Sequence, residues 1–77
     1  MTIIRMEMGP RIDARDLENL RNHLANLDRG DEITIRVEAH DTELIASALT
    51  EHGFNWQPHG SHSGQDYFLT GKKIKRH

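Results

Sequence analysis

The 77 residues of this chain suffice for one small domain around a single core and leave no room for a sizeable buried cavity. A hydrophobic fraction of 35%, a charged fraction of 29% and a formal net charge of -2 fit a soluble domain and give no global electrostatic case for nucleic acid or an anionic membrane. Cysteine is absent, which excludes disulfide staples, thiolate metal sites and thiol catalysis within the chain.

The opening apolar run is only Ile3 and Ile4 before Arg5, so no secretory leader is expected, and nothing reaches transmembrane length. With no cysteine, these features predict a cytoplasmic protein. No internal repeat, low-complexity linker or composition break divides the sequence, so residues 1–77 are expected to form one domain.

Residues 2–8 read as a first strand, with Ile4, Met6 and Met8 on one side and Ile3, Arg5 and Glu7 on the other. Gly9-Pro10 breaks it, because proline disfavours helix at the residue before it and cannot donate to a ladder. Asp13 is placed to cap a helix, Asp16 adds negative charge to its first turn, and Ile12 and Leu17 stand at hydrophobic-staple spacing. Leu17, Leu20, Leu24 and Leu27 then form a stripe at helical spacing, and Gly30 is the expected left-handed stop. Ile33, Ile35, Val37 and Ala39 alternate with Thr34, Arg36 and Glu38, the period of a strand with one buried face.

Asp41 is expected to cap a second helix, with Leu44, Ile45, Ala48 and Leu49 inward, His52 on the same side and Gly53 at its end. Phe54, Trp56 and Pro58 alternate through a third strand. Residues 59–65, rich in glycine and serine, read as a turn, and residues 66–70 as a fourth strand closing a hairpin. Gly71 then precedes a basic tail of Lys72, Lys73, Lys75 and Arg76.

The order strand, helix, strand, helix, strand, strand predicts an α/β two-layer sandwich. Its form is βαβαββ, a four-stranded mixed sheet with both helices on one face and parallel neighbours where helices intervene. Leu20, Leu24, Ile35, Leu49 and Trp56 belong to the expected core. The opposite face, carrying Arg5, Glu7, Thr34, Arg36 and Glu38, is expected to stay wet.

Groups that could do chemistry are few. His59 and His62 flank the hairpin turn with Asp66 nearby, a set whose residue types suit zinc or nickel, although a glycine- and serine-rich loop fixes ligands poorly. No serine sits on a nucleophile elbow, and no glycine-rich phosphate loop is present. Asp31-Glu32, at the helix-to-strand turn, are expected to be solvated. Arg5 and Arg36 on the open face, with Lys72, Lys73, Lys75 and Arg76, offer an alternative RNA-contacting surface. A similar two-layer topology occurs in the C-terminal domain of translation initiation factor three.

Across residues 5–73 the chain resembles the TusA/SirA-like family of small sulfur-carrier proteins. The segment LDRGDEITI (residues 27–35) looks like that family's helix stop and apolar strand, and YFLTGKK (residues 67–73) looks like its closing strand. Counting back without gaps from Gly30 puts Asp13 where the family keeps its nucleophilic cysteine, Ala14 and Asp16 at its two prolines, and Glu7 near its usual acidic residue. The resemblance therefore implies the fold without the sulfur chemistry, because a carboxylate cannot form a persulfide. It implies a non-enzymatic module that needs no cofactor and binds another protein through Arg11, Ile12, Asp13 and Arg15.

Overall fold

The computed structural model describes residues 2–9, 12–60 and 67–74. The elements are β1 (Ile3–Glu7), α1 (Ala14–Asn26), β2 (Glu32–Arg36), a 3-10 turn (Ala39–Asp41), α2 (Thr42–Glu51), β3 (Phe54–Gly60) and β4 (Tyr67–Lys73). The four strands form one mixed sheet in the order β1-β2-β4-β3, with β1 and β2 parallel and β4 antiparallel to both its neighbours. Leu20 and Leu24 of α1 and Ile45 and Leu49 of α2 share a core with Ile33, Ile35 and Leu69, all fully buried. Both helices therefore cover one sheet face, and the architecture is the expected βαβαββ two-layer sandwich.

One expectation about neighbours fails. β2 and β3 are joined through α2 yet do not touch, because β4 lies between them. The residues explain the exchange: β4 brings the fully buried Leu69 to the centre, whereas β3 carries Pro58, whose missing N–H is tolerated only at an edge. Trp56, on that edge strand, is half-buried against the core rather than inside it, and its indole N–H donates to Thr50 Oγ1 at 3.0 Å.

Helix α1 begins as its sequence dictates. Asp13 Oδ1 accepts from the Asp16 N–H at 2.9 Å while Asp16 Oδ2 accepts from the Asp13 N–H at 3.1 Å, a reciprocal capping box. Its end differs from expectation. The helix stops at Asn26, Leu27 is already extended, and Gly30 (φ 94°) serves a separate turn. That turn is held by Asp31, whose carboxylate accepts from the N–H of Asp28 at 2.7 Å.

Helix α2 starts behind the 3-10 turn that takes up Ala39, so β2 ends earlier than its alternation implied. Asp41 occupies the cap position without a side-chain cap bond and instead lies 3.3 Å from His40 Nε2. The inward stripe runs through Ile45, Ala46, Ala48 and Leu49, and Leu44 is 43% exposed, not buried as its spacing suggested. The small Ala46 takes the inward place and Leu44 lies at the solvent margin. Gly53 (φ 78°) ends the helix as expected.

Strand β4 runs three residues past its expected end, through Gly71 to Lys73. Gly71 sits at a close approach of α2 to the sheet and adopts no unusual backbone angle. A β-carbon there would stand 3.4 Å from both Leu49 Cδ2 and Phe54 Cδ2, so the site has room for a methyl and little more.

Candidate binding surfaces

The start of α1 presents an exposed Asp13 and an exposed Arg15, while Ile12 is half-buried and packs against the core. Arg11 lies outside the described residues. The Asp13 carboxylate is engaged by a backbone N–H of its own helix. This end can cap, and it can meet a partner through charge. It has no group able to carry sulfur.

The open sheet face is more structured than the sequence suggested. Strand register sets two rows side by side, Arg5–Thr34–Thr70–Gln57 and Glu7–Arg36–Phe68–His59. Arg5, Glu7, Thr34, Arg36 and Phe68, with Met6, line a groove of about 430 Å³. Glu7 Oε1 stands 3.9 Å from Arg36 Nη1 across it. At the far end the rings of His59 and Phe68 stack with centroids 5.4 Å apart and planes 20° from parallel. A His59 ring nitrogen also lies 3.1 Å from Thr70 Oγ1, so the imidazole meets two residues of β4, Phe68 and Thr70. Sequence reasoning missed this aromatic pair. Its signal was present in the alternation of β4, which turns Phe68 away from the core when Leu69 turns toward it.

The basic surface divides. Lys72 is exposed on the open face beside Glu32 and Asn55. Lys73 is not part of any tail. It is 3% exposed, and its ammonium donates to the carbonyls of Leu24 at 3.1 Å and Leu27 at 2.7 Å while standing 5.7 Å from the Phe54 ring centroid. β4 continues far enough to point this side chain inward under the end of α1, so it is withdrawn from nucleic acid. Lys75 and Arg76 lie outside the described residues.

Asp31 likewise departs from the solvated role expected of it. It is 8% exposed, and its carboxylate accepts from the N–H groups of Asp28 and, at 2.8 Å, Thr2. These two backbone donors, with Lys73 nearby, hold its pKa below the ordinary 3.8. Backbone bonds join the same places, from Gly30 N–H to Lys73 C=O and from Lys73 N–H to Asp31 C=O. The start of β1, the α1–β2 turn and the end of β4 are thereby tied together.

Of the candidate metal set, only His59 falls among the described residues; His62 and Asp66 lie outside them. Among the described residues, no three histidine, aspartate or glutamate side chains come together to hold an ion. His23 lies exposed, with Nδ1 2.8 Å from the Asn19 carbonyl of its own helix.

The chain matches no protein-family model and no curated protein. Among the described residues, no helix is long and apolar enough to cross a membrane.

Proposed function

We propose that this chain is a cysteine-less relative of the TusA/SirA-like carriers, working in the cytoplasm as a non-enzymatic module that docks another protein. The observation that supports this reading most is the Asp13–Asp16 capping box, which completes the helix start where the resembled family holds its thiol. A finished cap leaves docking, through the segment Arg11, Ile12, Asp13 and Arg15, as the use of that end. Arginines flanking a helix start act chiefly on encounter and specificity. The test is capture of a partner from host lysate, followed by titration with wild type and with the Arg11→Glu/Arg15→Glu double variant. A clear loss of affinity in a variant that melts like wild type supports the surface, and equal affinity refutes it.

A second reading, an RNA-contacting domain, is favoured by one specific feature: Arg5 and Arg36 line a groove that runs to the stacked Phe68–His59 pair. Cations beside an aromatic platform suit a single strand, whose bases stack while its phosphates are neutralised. Titration of a short oligonucleotide at rising salt separates the two readings. Phosphate-driven binding weakens steeply with salt and is lost on Phe68→Ala, whereas protein docking at α1 is indifferent to that substitution.

A further inference from the structure

The two edges of this sheet are not alike. β3 carries Pro58, which removes a donor and blunts its edge. β1 has no proline, lysine or bulge in its five residues, IIRME. The bonds flanking its pairing with β2, Glu32 N–H to Thr2 C=O and Met8 N–H to Arg36 C=O, fix its phase. Even-numbered residues bond to β2, so the backbone N–H and C=O groups of Ile3, Arg5 and Glu7 all point away from the sheet. Among the described residues no strand pairs with that side.

We propose that this edge pairs antiparallel with the same edge of a second copy of the chain, about a two-fold axis at Met6. The occupant is specified by charge. An axis at Met6 sets Arg5 opposite Glu7 of the second copy, and Glu7 opposite its Arg5. These are the residues whose backbone groups point outward, so each opposed pair exchanges both ladder bonds while its side chains meet with opposite charge. An axis one residue earlier would oppose arginine with arginine, and an axis at Ile4 would set Arg5 against Ile3. Only the Met6 register is complementary to itself, which a two-fold contact requires.

The other face of the strand agrees. At Met6 the two chains approach most closely, and both methionines lie on the helix side, where a flexible thioether fills irregular space. A hollow of about 220 Å³ lined by Met6, Met8, Asp16 and Asn19 opens there between the end of β1 and α1, and the same register sets Ile4 of the second copy opposite Met8 at its mouth. The product is a continuous sheet with both helical layers on one side. Asp13, Arg15 and the Phe68–His59 pair take no part in it, so the pairing does not depend on the proposed function.

The experiment is sedimentation velocity on the full chain over a wide concentration series, with wild type, Arg5→Glu, Glu7→Arg and an equimolar mixture of the two variants. Wild type should pass from one-chain to two-chain mass. Each reversal alone sets like charges opposite each other and should weaken association by roughly tenfold or more, and the mixture should restore it as a heterodimer. An independent readout needs no variant. The amides of Ile3, Arg5 and Glu7 should exchange rapidly in dilute wild-type protein and slow in step with the two-chain fraction. A wild type of one-chain mass throughout the series overturns the proposal. So do reversals that associate as tightly as wild type, and rapid exchange at those amides when the two-chain form predominates.

Discussion

Lys73 Nζ lies 2.7 Å from the carbonyl oxygen of Leu27, closing the end of a helix formed 46 residues earlier in the chain. A cation is favoured at that end by the helix dipole, and here it also satisfies a second carbonyl, that of Leu24. Lys73→Met keeps the stem and removes the charge, leaving both carbonyls in a buried place. We expect a loss of about 2–3 kcal/mol, the scale of charge-assisted bonds broken at one partner. In a domain of this size that lowers Tm by roughly 10 °C or more, read by calorimetry. A melting temperature within a degree or two of wild type would remove Lys73 from the determinants of the fold.

Asp31 gives the acid limb of stability a defined origin. Its folded-state pKa is lowered from the ordinary 3.8, so the native state favours the ionised carboxylate. Its stabilisation is fully present above the unfolded-state value and is lost as pH falls through the folded-state pKa. Thermal melts of wild type should decline below about pH 4. Asp31→Asn should melt lower at neutral pH and decline less steeply in that acid window. Superimposable acid limbs would place the titrating group elsewhere.

At Gly71 the available space sets a size limit. A single methyl makes ordinary contact with Leu49, Phe54 and Ile33, all at 3.4–3.5 Å. Gly71→Ala should therefore be near neutral, or stabilising by about 0.4–1 kcal/mol through a less free unfolded chain. Gly71→Val pushes branches into the fully buried Leu49 and should cost about 1–3 kcal/mol. Chemical denaturation separates the two. Equal stabilities would show that α2 can lift from the sheet without penalty.

The helix start can be tested without touching the core. Asp13→Ser retains a cap acceptor and should keep most of the stability, while Asp13→Ala should cost about 1 kcal/mol. If Asp13→Ala leaves the denaturation midpoint unchanged, the capping box contributes nothing. Leu24→Ala, at a site with no exposure, sets the scale for a core deletion at about 2–5 kcal/mol.

The sequence made the layers legible because period alone separates the leucine stripe of α1 from the alternation of β2. It also made the start of α1 legible, since Asp13 and Asp16 act within one turn. What it concealed depends on distant partners. Gly30 read as a helix stop, because the contact that ends the helix comes from Lys73 at the other end of the chain. Lys73 read as tail for the same reason, as nothing local indicates that β4 continues past a glycine. Asp31 read as solvated because its second donor, Thr2, lies 29 residues away. Of the candidate surfaces, Arg5 and Arg36 were visible from alternation, but their alignment with Phe68 and His59 depends on a register that only the assembled sheet supplies.

The position of β4 between β2 and β3 also bears on how the protein is made. Of the four strands it is the last to leave the ribosome, yet each flanking strand relies on it. Until it emerges, β1 and β2 can pair beneath α1, but β3 has no strand to bond to and the inner face of α2 has half a floor. The sheet therefore completes from its middle and only once β4 has emerged, with Leu49 lacking part of its sheet contact until then. A nascent chain halted before Phe68 would hold two disconnected fragments of one sheet.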